Sequence, residues 1–153
     1  MQTLIRLLLA LAIVALAPVA LANLGAEEED SSNADWLAGK KAVEAQDWKA
    51  AAAYLSKAAA AEPSNADIQN WLGFAQRKLG NMEAAFAAYH AALKLNPKLK
   101  PAHEYIGEAY LQVNDLPKAE QHLAELQRLC SPIPCEEYKD LKRAVDAYKK
   151  SSK

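Results

Sequence analysis

Glycines stand at Gly39, Gly73 and Gly107, at one constant spacing of 34. Alanines at Ala51, Ala85 and Ala119 keep the same spacing, as do the larger apolar residues Leu55, Tyr89 and Leu123. Pro63 and Pro97 repeat it, and so do the small polar residues Asp47, Asn81 and Asp115. Several unrelated residue classes held in one register mean that the chain is assembled from a repeated unit. A unit of this length leaves one apolar face open, which its neighbour must cover, so the fold is a stack.

Each series has a physical task. Asp or Asn ahead of an amphipathic run accepts a hydrogen bond from the free N–H groups of a first helical turn, so Asp47, Asn81 and Asp115 each read as a helix start. Pro63 and Pro97 cannot continue a helix and so close one. The unit is therefore two helices. Gly and Ala at fixed places let the backbones approach, and the Leu or Tyr of the same unit fills the remaining space. The predicted helices are 33–45 and 48–61, 65–78 and 82–95, and 99–112 and 116–129. A seventh, 136–149, carries Tyr138, Leu141, Val145 and Tyr148 on one side and Lys139, Lys142, Arg143 and Lys149 between them, which suits a cap facing the third pair and water.

Composition supports helices over sheet. From Asn23 to Lys153 there are 27 alanines and only six β-branched residues, and the only Thr precedes that stretch. The charge, 18 Lys and Arg against 19 Asp and Glu, argues against a nucleic-acid-binding surface. The first residues tell of export: Arg6, an apolar run from Leu7 to Ala17, Pro18, and small residues at Ala20 and Ala22 form a secretory signal cleaved after Ala22. The apolar stretch from Leu7 to Ala22 is short of the roughly 20 residues that cross a bilayer, so no stable membrane insertion is expected after cleavage. The expected location is the periplasm of a Gram-negative cell, with secretion as the alternative. Asn23 to Ser32, with Glu27, Glu28, Glu29 and Asp30, reads as a flexible acidic leader.

The run Trp71-Leu72-Gly73-Phe74-Ala75, followed by Ala85, Tyr89, Ala92 and Asn96-Pro97, resembles the tetratricopeptide repeat. The first and third units are weaker copies, with Ala42 where the family often has Tyr and Ser131 where the closing Pro would stand. The resemblance implies an all-α, right-handed superhelical stack: repeats at about 32–65, 66–99 and 100–131, spanning 33–131, then a capping helix and basic tail over 132–153. It also implies that the first helix of each pair lines a concave groove for a peptide or a partner protein. The groove rows carried over by the spacing are Trp36, Asn70 and Glu104; then Lys40, Phe74 and Glu108; then Val43, Arg77 and Leu111. Chaperone-binding members hold a carboxylate with a Lys/Asn/Arg clamp. Here Trp36 replaces its first Lys and Trp71 and Tyr105 its Asn and Arg, which argues against chaperone tails.

The groove is thus expected to be aromatic at one end through Trp36 and Phe74, cationic in the middle through Lys40 and Arg77, and acidic at the far end through Glu104 and Glu108. Trp71 and Tyr105 are expected mainly in the core. Lys40 or Arg77 would pair with acidic side chains of the partner.

Cys130 and Cys135, flanking Ser131-Pro132-Ile133-Pro134, are an even pair in an exported chain and read as a disulfide that sets the angle of the cap. Their spacing is not the C-x-x-C of oxidoreductases. His90, His103 and His122 fall on different helices and read as ordinary structural histidines rather than metal ligands. Glu104 and Glu108 share a helix face without a nucleophile or an enclosed cleft, so they read as a binding face rather than an acid–base pair. No metal, cofactor or enzymatic activity is expected. The functional reading is an adaptor or scaffold, monomeric or weakly oligomeric. The alternatives are a thiol-active accessory factor using Cys130 and Cys135, and an envelope assembly subunit that stacks end to end.

Overall fold

The computed structural model describes residues 31–152, with side-chain environments from Ala34 onward. The predicted export signal and the acidic leader as far as Asp30 lie outside the described residues. Among the described residues there are seven helices and no strand: α1 (Ser31–Glu44), α2 (Trp48–Ala61), α3 (Ala66–Lys78), α4 (Met82–Leu95), α5 (Lys100–Gln112), α6 (Leu116–Leu129) and α7 (Glu136–Ser151). The predicted all-α stack of three pairs and a cap is what the chain forms. α2, α4 and α6 fall on their expected spans; α1 begins earlier than predicted, at Ser31, and α7 ends later, at Ser151.

Two of the three predicted start signals cap their helices, and Asn65, which the period did not mark, caps α3. Asp47 Oδ1 accepts from the Ala50 N–H at 3.0 Å and Asp115 Oδ1 from the Lys118 N–H at 3.2 Å. Asn65 Oδ1 accepts from the N–H groups of Asp67 and Ile68 at 3.1 and 3.3 Å. Asn81 departs from the expectation: it makes no side-chain cap, and its Nδ2 donates to Gln76 Oε1 at 2.9 Å, tying α3 to the turn instead. An amide has a donor as well as an acceptor, so it can serve the preceding helix where Asp cannot.

The turns inside the pairs reveal a further series with the same period. Gln46, Gly80 and Asn114 all have positive φ, at 57°, 81° and 61°. This left-handed residue lets the chain leave one helix and enter the next; the Gly80 N–H, for instance, donates to the Arg77 carbonyl at 3.0 Å. Only the middle unit places glycine there, the residue for which the conformation is free of Cβ strain.

The glycine series is fixed by close packing. A Cβ at Gly39 would lie 2.7 Å from Leu55 Cγ, and one at Gly73 would lie 2.6 Å from Tyr89 Cδ1. These are the predicted partners. At Gly107 the prediction fails: the neighbour is Leu141 of α7, whose Cδ2 would be 2.6 Å from the added carbon, and not Leu123. The cap therefore takes over a task that α2 and α4 perform in their own pairs. Ala51, Ala85 and Ala119 are fully buried, as their close helix contacts require, in a core centred on Leu55, Ile68, Tyr89, Ile106, Leu126, Leu141 and Val145.

First helices touch one another along the stack, α1 to α3, α3 to α5 and α5 to α7, whereas among the described residues α2, α4 and α6 share no contacts. A stack in contact along one side and splayed along the other must curve toward the contacting side. The first helices consequently line the concave face.

Candidate functional site: an aromatic and acidic groove

The repeat places α1, α3 and α5 side by side, so residues one period apart form rows across the groove. Aromatic rings connect these helices. Trp36 of α1 meets Trp71 of α3 at 6.5 Å between centroids, Trp71 meets Phe74 at 5.8 Å, and Phe74 meets Tyr105 of α5 at 4.9 Å. Trp48, the first residue of α2, adds an edge contact to Phe74 at 5.9 Å. Edge-to-face pairs of this kind contribute about 0.5–1.5 kcal/mol each beyond the area they bury, so they hold the floor of the groove rigid. All five rings are half-buried, and Trp36, Trp71 and Tyr105 pack against the core. Trp71 and Tyr105, expected mainly in the core, thus belong to the groove floor as well.

Trp48 was not among the predicted groove residues, although a signal for it exists. Trp48, Met82 and Leu116 share the period, and each opens the second helix of its pair.

The cations sit above these rings. Lys40 Nζ lies 5.0 Å from the Trp36 ring, Lys78 Nζ 5.3 Å from Phe74 and 5.8 Å from Trp48, and the Arg77 guanidinium 5.5 Å from Phe74. Arg77 does not offer the free charge expected of it. It is only 5% exposed, and its Nη2 pairs with Glu108 Oε2 at 2.7 Å. A guanidinium buried to that degree requires a fixed counter-ion, and the carboxylate of the neighbouring helix supplies it. The predicted cationic middle is therefore an internal ion pair, and the accessible cations are Lys40 and Lys78.

Asn70 also departs from the expectation of an open groove residue, being 2% exposed. Its Oδ1 is buried with no hydrogen-bond partner. Glu104, in the same row on α5, is half-buried and has its carboxyl pushed up to about 7. Burial is the main cause, and the carboxylates of Glu108, Asp140 and Glu137 add to it, opposed only by Arg77. Tyr105 is raised by burial and then by Glu104 and Glu108. Glu104 and Glu108 thus stand together on α5, with Glu137 and Asp140 of α7 near them. Between α5 and α7 lies a depression lined by Glu108, Asp140, Arg143, Ala144 and Ala147.

Two sets of predicted residues lie away from the groove. Cys130 and Cys135 are joined as a disulfide with their Cα atoms 5.4 Å apart, and Cys130 is buried where α6 ends. The three histidines, read separately in the sequence, form one cluster. His103 Nε2 donates to the Pro97 carbonyl at 3.0 Å, which leaves its Nδ1 to accept from His122 Nδ1 at 2.9 Å. His122 stacks on Tyr110, whose hydroxyl is 3.4 Å from His90 Nε2. Burial, then His103 and His90, push His122 down to about 4. Among the described residues no group of three His, Cys, Asp or Glu side chains is placed to hold a metal ion, and no helix is long and apolar enough to cross a membrane.

Paired helices, caps at a fixed interval and a curved stack define a helical-repeat protein. Residues 37–100 match the model of the tetratricopeptide repeat, and the described residues share the fold of solved tetratricopeptide-repeat domains. No curated protein matches the sequence. Among solved structures, the chain is similar to the TPR2B domain of yeast Sti1 in its complex with an Hsp70 peptide: TM-score 0.73, 16% identity, 80% of this chain and 98% of that one. It is likewise similar to PcrH in complex with the chaperone-binding region of PopD: TM-score 0.71, 19% identity, 82% of this chain and 96% of that one. The Yersinia enterocolitica type III secretion translocator chaperone SycD gives a TM-score of 0.72 at 17% identity, over 80% and 86%.

Proposed function

We propose that the chain is a non-enzymatic binding module that holds a peptide or a segment of a partner protein in its concave groove, working as an adaptor or scaffold in the periplasm or cell envelope after removal of residues 1–22. The observation that carries this reading is the aromatic row from Trp36 through Trp71 and Phe74 to Tyr105. Four large rings span three helices, are braced by one another, and remain partly exposed. Rigid aromatic surface of this kind gives contact area at little entropic cost, which is how binding sites concentrate energy. The fold neighbours captured with peptides or binding regions, the Sti1 domain and PcrH, support it by analogy of fold. The groove lacks the enclosure and the nucleophile that catalysis requires, and Cys130 and Cys135 are spent on one another, which favours a staple over thiol chemistry.

A photocrosslinking residue placed at Lys40, in the groove, tests the assignment against one placed at Glu83 of α4, outside it. In cells, partners should be trapped from position 40 and not from position 83. Equal trapping from both positions, or none from the groove, overturns the reading. Fractionation of the same cells should find the protein in the periplasmic extract, with Asn23 as its first residue.

A further inference from the structure

Three cations rest on the rings of the groove, and they differ in what else they meet. Arg77, over Phe74, is buried and neutralised by Glu108. Lys40 rests on Trp36, and Lys78 on Phe74 and Trp48 together, so the two lysines mark the part of the groove built by α1, α3 and the start of α2. Lys40 is half-buried and Lys78 exposed, and among the described residues neither ammonium has an ion pair or a hydrogen bond. Glu44, the last residue of α1, and Asp47, whose carboxylate caps α2, pair with neither of them. A ring face attracts an ammonium through its quadrupole without removing the charge, and the group keeps its three donors. Each lysine is thus held in place by aromatic surface with its donors unfilled. Fixing a long side chain in one geometry is the entropic cost that makes exposed ion pairs weak, and here the rings have already met part of it.

We infer that the groove selects a segment of another protein in which apolar anchors stand beside one or two acidic side chains, the anchors lying on Trp71, Phe74 and Tyr105 and the carboxylates meeting Lys40 and Lys78. This rests on the concave groove being the binding face and adds which segments it takes. Charge complementarity decides for an acidic occupant: among the described residues, the charges that rest on groove rings without a carboxylate are these two ammonium groups. Of the cations expected to meet acidic partners, Lys40 keeps that part and Arg77 yields it to Lys78. The remaining charges give the segment a direction. α5 carries Glu104 and Glu108, of which only Glu108 has a cation, so carboxylates are favoured at the α1 and α3 end and disfavoured beyond Tyr105. Side-chain carboxylates suffice for this pairing, and a free chain end is not required.

The experiment uses the protein from Asn23 to Lys153 and three twelve-residue peptides blocked at both ends: one with Leu and Phe anchors beside an Asp-Glu pair, its twin with Lys-Arg in that place, and an Asp-Glu peptide with Ser for the anchors. Binding is read from the fluorescence of Trp36, Trp48 and Trp71 and by calorimetry. The first peptide should bind at least about tenfold more tightly than either other one. Lys40→Gln and Lys78→Gln should each weaken it about two- to fivefold, and Lys94→Gln, on α4 outside the groove, should not change it. Lys40→Glu/Lys78→Glu should reverse the preference, so that the Lys-Arg twin binds more tightly than the first peptide. Added salt should weaken the first peptide more in the native protein than in Lys40→Gln/Lys78→Gln.

Equal binding of the first two peptides, or a preference for the basic one, overturns the acidic assignment while leaving the groove reading intact if Trp36→Ala still weakens them. Binding weakened by Trp36→Ala but by neither lysine substitution has the same meaning. Binding untouched by Lys40→Gln, Lys78→Gln and Trp36→Ala overturns both readings. Binding of none of the three peptides, or of the first only when its C-terminal carboxylate is left free, overturns the acidic assignment. A dimer in sedimentation that Lys40→Glu/Lys78→Glu dissolves also overturns it, because the occupant would then be an acidic segment of a second copy.

Discussion

Glu104 illustrates how a side chain can weaken the fold it belongs to. Its carboxyl is held near 7 in the folded chain and returns to the ordinary carboxylate range when the chain unfolds. A group whose folded value is raised favours folding while it is protonated, and that contribution is lost as the pH rises through about 7. Above neutrality Glu104 is ionised in both states and costs the folded one on the order of 1–2 kcal/mol, given its partial exposure. Glu104→Gln should therefore stabilise the protein in urea titrations at pH 8 and leave it nearly unchanged at pH 4. His122 works in the opposite direction, with its folded value lowered to about 4. Stability present above the unfolded value near 6.5 should fall as the pH drops from about 6.5 to 4, because the unfolded chain takes up the proton first. His122→Leu should flatten that part of the urea profile.

At the scale of elements, the turns inside the pairs and the glycine contacts are the sensitive points. Gln46 occupies a left-handed position that Gly80 fills without strain and Asn114 tolerates. Gln46→Gly should raise stability by about 0.5–1 kcal/mol, an uncommon gain for glycine, measured by the urea midpoint at unchanged slope. Gly107→Ala should cost about 2 kcal/mol by pushing Leu141 off α5, and much of that should return in the Gly107→Ala/Leu141→Ala pair relative to Leu141→Ala alone. The helix pairs themselves were legible because caps, prolines and buried alanines recur at one interval, and a period relates equivalent positions in successive units. Interactions formed between positions that are not equivalent escape it. Glu108 falls short of a full period after Arg77, and His122 follows His103 at little more than half of one, so no series announced either contact. Gln46, Gly80 and Asn114 do share the period, yet their common trait is a backbone angle that three different side chains conceal. Likewise, Leu141 follows Gly107 at one full period, but a leucine in the place of a glycine reads as a break in the pattern rather than as its continuation.

At the scale of the molecule, the disulfide and α7 decide how the last pair is covered. The short loop closed by Cys130 and Cys135 should contribute about 2 kcal/mol by restricting the unfolded chain. In the Cys130→Ser/Cys135→Ser variant, amide exchange should quicken across α7 and the facing part of α5 while α1 to α4 stay protected, because each pair depends mainly on its neighbours. Uniform acceleration along the whole stack would show instead that the pairs unfold as one body. The contact pattern of the stack also has a mechanical meaning. Curling the molecule further would drive α1, α3 and α5 into one another against steric repulsion, whereas straightening it only stretches attractive contacts and moves α2, α4 and α6 into empty space. The module is a spring with unequal stiffness, hard in compression on its inner side and yielding in extension.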